Sequence, residues 1–375
     1  MKKDNSNLIK SISWAIILIF ILVIITKISI SYVNTIKEIR DNNLDQFVSV
    51  DKNDSYASTN GTERNFEKTN SPELVRTGIY LDRISNFDII QSKWQYDFYQ
   101  WFKWNPKKIK FINLQELKKG IITAQSSPFQ IINGEIERIE ISSYFINDTG
   151  DSAYVNYFIK ATSSNYFDVS TFPLDKQLLM INVEAKDFDL DELKFVPDSS
   201  SSKVSSRVSV NSYEIGNVYT LSKTNTYQTN FGFQQDDYNA SNFSQFRFGV
   251  LLKRDGYNYY FKSLIILIII ILISFLSFFA YDISKIPIVT GCLFATTASY
   301  YFYGSRIPPN SKITILELVY SVSLITIFLI ILQETVIKSI VGKNEKLYNS
   351  IRWITFVIMI LFFLFFNYLI PTRFN

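Results

Sequence analysis

The sequence predicts a two-part membrane protein: an all-β sandwich domain followed by a transmembrane domain of four helices, with one extra hydrophobic helix at the N-terminus. Three observations predict it. The last third holds four closely spaced apolar segments, at 260–281, 286–303, 313–336 and 353–370. In front of them, apolar and polar residues alternate in short runs broken by Asn, Asp, Ser and Gly. Residues 12–26 are almost wholly apolar.

At the N-terminus, Lys2, Lys3 and Lys10 precede that apolar stretch. Two readings compete. A cleaved signal peptide would use Ser29 and Ser31 as small residues near the cleavage site. An uncleaved anchor would run to about Val33, with Lys27 reaching for the interface. The lack of an A-x-A-like site and the Tyr32–Val33 continuation favour the anchor. In both readings the lysines stay inside and the next segment is exported. Residues 34–72 are polar and without clear period, as in DKNDSYASTNGTERN, and read as a linker, partly helical near 36–47.

Residues 73–256 read as the β-domain, on the periplasmic or extracellular side. SAYVNYFIKATSS, KQLLMINVEA and FSQFRFGVLLKR alternate with period two, as half-buried antiparallel strands do. About ten such strands in one stretch point to an Ig-like sandwich. A helix is expected only near 114–120.

Residues 257–375 read as the membrane domain. Three of its four segments suffice for a bilayer core, which needs roughly 20 residues of helix. The second differs: Thr290, Gly291, Cys292, Thr296, Thr297 and Ser299 lie among its apolar residues. A mildly polar stripe flanked by oilier helices suits a wall that faces water on one side. Lys338, Lys343, Lys346 and Arg352 mark the loop before the last segment as cytoplasmic, which agrees with an inside N-terminus.

Composition excludes several chemistries. The 375 residues contain no histidine, which removes histidine-based acid–base catalysis, serine–histidine triads and histidine metal sites. The single cysteine, Cys292, lies in a membrane segment, so neither an intrachain disulfide nor a Cys-rich zinc site is expected. Net charge is only +4, without a basic tract suited to nucleic acid. An enzyme is not expected, and neither is a cofactor or a metal.

FDVSTFPLDKQLLMINVEAKDFDLDELKFVPD, residues 167–198, resembles the pentameric ligand-gated ion channels, whose signature is an aromatic-Pro-x-Asp-x-Gln turn between two strands. Here that is Phe172, Pro173, Asp175 and Gln177. VRTGIYLDRI, SPFQIINGE, LLKRDGYNYY and IPPNSKITILELVY follow the family's order. The missing paired cysteines and the short loop before the last helix suggest a prokaryotic member. The first membrane helix lacks the family's proline, and the N-terminal hydrophobic segment lies outside the family core.

The resemblance implies a homopentamer in the cell (inner) membrane whose second helix lines the pore. With Pro309 as the family's loop proline, the lining is Ile288, Cys292, Ala295, Ser299 and Phe302; with Pro308 it is Pro287, Gly291, Phe294, Ala298 and Tyr301. The first register is preferred, and in either case the residues also suit packing against neighbouring helices. The family's ligand site lies between subunits in an aromatic box. Candidates are Phe129, Phe188, Tyr227, Phe231, Phe233 and Tyr238 on one side and Trp101 and Trp104 on the other, with a place in the sandwich core as the alternative for each. Coupling between domains would use Phe172, Pro173, Asp175, Gln177, Arg254 and Pro309. The implied partners are the lipid bilayer, identical subunits, a small-molecule agonist (an amine among the candidates) or protons, and permeant inorganic ions. Lys285 facing the lumen would repel cations and Asp282 would attract them, so ion charge stays open. The alternative function is a non-conducting, membrane-anchored periplasmic sensor or binding protein.

Overall fold

The computed structural model describes residues 2–48, 71–227, 241–254, 256–280, 282–308, 311–337 and 344–372. They form two compact units. One contains the strands, at 42–167 and 176–253. The other is helical and drawn from three stretches: 1–41, 168–175 and 254–375.

The described residues of the strand unit form ten strands in two sheets. The larger sheet joins β4 (Gly134–Ile146), β5 (Ala153–Ser164), β2 (Lys93–Trp104), β1 (Glu73–Asp88) and β7 (Leu193–Pro197) in that order, with β8 (Lys203–Val204) also paired to β1. The smaller runs β3 (Phe129–Ile131), β6 (Lys176–Ala185), β10 (Ser241–Arg254) and β9 (Tyr213–Tyr227). Most neighbours are antiparallel, whereas β7 and β8 run parallel to β1. The period-two pattern explains the layering. Along β5 every second residue from Ala153 to Ser163 is buried, and β6 buries Leu179, Ile181 and Val183 on one face. Both sheets feed one core, where Phe98, Phe102 and Tyr157 meet Phe129, Ile181, Phe246 and Phe248. Gly78 on β1 leaves room for an indole: a Cβ there would lie 2.3 Å from Trp101 Cζ2. The expected helix near 114–120 is α2 (Leu114–Lys119). It is capped by Asn113 and stopped by Gly120 at φ +67°.

In the helical unit, α1 (Lys2–Val48) is one unbroken helix that continues past the apolar stretch into the expected linker; residues 49–70 lie outside the described ones. Then come α3 (Gly256–Leu276), α4 (Asp282–Gly304), α5 (Ile315–Leu332) and α6 (Glu345–Thr372). Four described segments are long and apolar enough to cross a membrane: 12–38 in α1, 258–279, 315–335 and 345–370. A lipid bilayer is the environment such helices need. The 23-residue α4 is long enough but more polar, as its threonines, glycines and serines anticipate.

Candidate functional site

Helix α4 has two opposed faces. Lys285, Val289, Cys292, Thr296 and Ser299, spaced +4, +3, +4, +3, are buried. Two hydroxyls on this face are satisfied, Thr296 Oγ1 by the Cys292 carbonyl and Ser299 Oγ by Tyr320 of α5 at 2.8 Å. Pro287, Gly291, Phe294, Ala298 and Tyr301 repeat the same spacing two residues on, and all are exposed. Phe294 is 72% and Tyr301 80% accessible. Among the first-register residues, Ala295 and Phe302 are exposed, Ile288 is intermediate, and Cys292 and Ser299 are buried. The contrast with α3 is chemical. The exposed side chains of α3 include Phe261, Ile265, Ile266, Ile269, Leu272, Ile273 and Leu276, which suit lipid. The exposed face of α4 instead mixes glycine, alanine, Thr297, proline and aromatic rings. Arg306, beyond the C-terminal end of α4, lies 4.7 Å from the Phe302 ring centre, a cation–π contact.

The turn 168–175 completes the N-terminus of α5. A helix leaves its first amides without internal partners. Here Ile315 N–H donates to the Ser170 carbonyl (3.1 Å) and Leu316 N–H to the Phe172 carbonyl (3.2 Å). Thr314 and Glu317 close a reciprocal capping box that satisfies the next amide. The turn is itself internally bonded, Phe172 N–H to Val169 and Leu174 N–H to Thr171, and its Phe172–Pro173 bond is cis. Asp175 ends it. Arg254 Nε donates to Asp175 Oδ1 at 2.6 Å and Nη2 to Oδ2 at 3.4 Å. The guanidinium carbon lies 5.0 Å from the Phe172 ring and 4.8 Å from the Tyr259 ring. The Asp175 side chain is 0% and that of Arg254 6% accessible. Phe172, Pro173, Asp175 and Arg254 therefore converge. Gln177 is buried in the β6–β10 ladder opposite Leu252. Pro309 lies outside the described residues.

A second buried ion pair holds the N-terminal end of α4. Lys285 Nζ lies 3.9 Å from Glu334 Oε2, with both side chains at most 3% accessible. The Tyr348 hydroxyl of α6 donates to the same oxygen, and Lys285 sits 5.8 Å from its ring. Glu334 belongs to a π-helical turn, Gln333–Ile337, that follows α5. Asp282 belongs to α4, but its side chain is outside the described ones.

In the strand unit, the described aromatic candidates have different surroundings. Phe129 is fully buried in the core, 5.0 Å from Phe102 and 5.8 Å from Tyr157. Trp101 is buried and its indole N–H donates to Asp198 (3.2 Å), while Trp104 packs edge-on against Phe111. Phe188 is half-buried and lines a cavity of about 340 Å³ with Phe111, Tyr157 and Lys186. Tyr227 is half-buried and hydrogen-bonds Glu184 at 3.1 Å. Phe231, Phe233 and Tyr238 lie outside the described residues.

Tyr227 leads to a feature that the sequence reading missed. On the sheet face opposite the core, Glu184 (β6) is buried with Asn225 (β9) and Gln245 (β10); these two and the half-buried Tyr227 (β9) lie within hydrogen-bond reach of its carboxylate. Arg247 is nearby, its Nε on Gln245. The alternating polar residues of INVEA, SKTNTY and SQFRF carried the only signal for it. Burial pushes the Glu184 carboxyl above its ordinary 4.5, against the opposing pull of Tyr227, Asn225, Gln245 and Arg247. The folded chain thus holds this proton more tightly than the unfolded one. The site's contribution to stability is full below pH 4.5 and falls as pH rises to the folded-state value. Glu184→Gln is expected to remove that fall, so its melting temperature gains on wild type as pH rises above the acid end. Thermal melts between about pH 4 and 8 check this, and parallel curves would refute it.

No family model matches the chain, and among curated proteins none is similar to it.

Proposed function

We propose that the chain is one subunit of a homopentameric, ligand- or proton-gated ion channel, built like the pentameric ligand-gated family with an Ig-like sandwich outside the membrane. The exposed face of α4 carries this reading. A side presenting Pro287, Gly291, Phe294, Ala298 and Tyr301 suits lipid less well than α3 does, and suits an axis where five copies surround water. In that arrangement Phe294 and Tyr301 form two aromatic rings, narrow and apolar enough to close a pore by dewetting. The Pro308 register is therefore the one we adopt. Lys285 is turned into the bundle against Glu334, which removes the lysine ring that would repel cations. The turn 168–175, bonded to the first amides of α5 and continuous in the chain with β6, supports a path for the signal through the chain itself.

Two measurements test this. The detergent-solubilised assembly is expected at five times the 43.6 kDa protomer, and a monomer would overturn the reading. In a Cys292→Ala background, cysteine at Phe294 or Ala298 is expected to let a water-soluble thiol reagent block single-channel current in planar bilayers. Cysteine at Ile269 of α3 is expected to leave the current unchanged.

A further inference from the structure

We infer that α1 is a permanent fifth membrane helix, retained in the mature protein, and that Tyr32 near the end of its apolar stretch is a positioning residue for the segment leading into α5. The apolar core of a signal peptide needs only hydrophobicity and a short length, and it is removed after use. Such a peptide has no physical reason to match the surface of its own protein's last helix. Residues 12–38 do match it. Leu18, Leu22, Ser29, Val33 and Ile36 fall on one helical stripe and are buried, while Ile16, Ile17, Phe20, Val23 and Ile24 point outward, as lipid-facing residues do.

The contacts are specific as well as apolar. Trp14 packs against Leu347 and Ile351 of α6, and its indole N–H donates to Thr355 Oγ1 at 3.1 Å. Thr355 is fully buried. Farther along, Ser29, Ile30 and Val33 face Phe366, Leu369 and Ile370 across a gap of only about 10 Å³. Lipid tails are as apolar as leucine, so helices associate in a bilayer through close packing and interhelical hydrogen bonds, and α1 supplies both. Ser29 is a small residue that the cleavage reading needs in an accessible, extended segment. Here it is 3% accessible and inside a continuous helix.

The position of Tyr32 gives this helix a consequence. Its hydroxyl donates to the Ile313 carbonyl at 2.6 Å. Ile313 immediately precedes the capping residue Thr314, and the next two amides are those that the 168–175 turn accepts. α1 thus holds the start of α5 from one side while the turn holds it from another. The sequence resemblance contains nothing equivalent, because the N-terminal segment lies outside the family core. The inference stands whether or not the assembly conducts ions.

The experiment uses the full chain purified from membranes in detergent. Its intact mass is expected to include residues 1–33, and a mass lacking them would overturn the inference. In a Cys292→Ala background, the pair Ile30→Cys and Leu369→Cys is expected to cross-link within one chain on mild oxidation. Failure to cross-link, with both thiols shown to be present, would overturn the docking. Tyr32→Phe keeps the ring and removes one hydrogen bond, so it is expected to fold with a melting temperature lowered by at most a few degrees. Hydrogen–deuterium exchange of the peptide covering 311–318 is expected to speed up about fivefold, the equivalent of one such bond. Exchange equal to wild type would show that Tyr32 positions nothing.

Discussion

Arg254→Ala is expected to destabilise the helical unit by about 3–5 kcal/mol, because it removes the forked cationic partner of a carboxylate that water does not reach. The loss has two parts. The carboxylate forfeits both guanidinium contacts, and the Phe172 and Tyr259 rings lose the planar cation between them. Arg254→Lys is expected to recover only a minor share, since an ammonium can neither fork onto two oxygens nor lie flat between rings. Asp175→Leu combined with Arg254→Met removes both charges and is expected to restore most of the stability, as apolar replacement of a buried pair often does. Thermal melts in detergent measure all three. The double variant also separates two roles. Under the proposed channel function, a double variant that folds as well as wild type yet passes no current would assign the pair to switching; current that returns with folding would assign it to assembly.

Glu334→Leu is expected to cost a similar ~3–5 kcal/mol by leaving the Lys285 ammonium opposite an apolar side chain deep among three helices. Adding Lys285→Met is expected to recover most of that. Tyr348→Phe keeps the ring near Lys285 and removes one hydrogen bond to a charged acceptor, so its expected cost is smaller, about 1.5–3 kcal/mol. Melting temperatures of these variants form the check. A Glu334→Leu variant as stable as wild type would overturn this expectation. The effect on conduction follows separately. In the proposed channel, losing Glu334 leaves the Lys285 charge near the inner end of α4 without its carboxylate counter-charge. Reversal potentials are then expected to move toward those of anions.

The strands were readable because a sheet with one buried face writes period two into its sequence, as SAYVNYFIKATSS does for β5. The membrane helices were readable from length and apolarity alone. Helix α4 shows where such reading stops. Both stripes considered for its exposed side obey the same +4, +3 spacing, and only the partner helix decides which one is covered. The Ser299–Tyr320 hydrogen bond brings together residues of different helices, and nothing in the spacing along α4 encodes it. Aromatic residues posed a related problem. In a chain with 16% Phe, Trp and Tyr, ring identity does not tell a core position from a binding surface, and Phe129 lies in the core. Glu184 was missed for another reason. A glutamate on the polar side of a strand ordinarily faces water, and its burial depends on Asn225, Tyr227 and Gln245 arriving from strands distant in sequence.

The helical unit borrows eight residues, 168–175, from the middle of the chain. It is therefore not separable by cutting the gene. A fragment that starts at Gly256 would contain α3 to α6 but no keystone, leaving the Ile315 and Leu316 amides and the ring of Tyr259 without their native neighbours. During synthesis, that keystone is made well before the helix it completes, and it must wait for its socket to emerge.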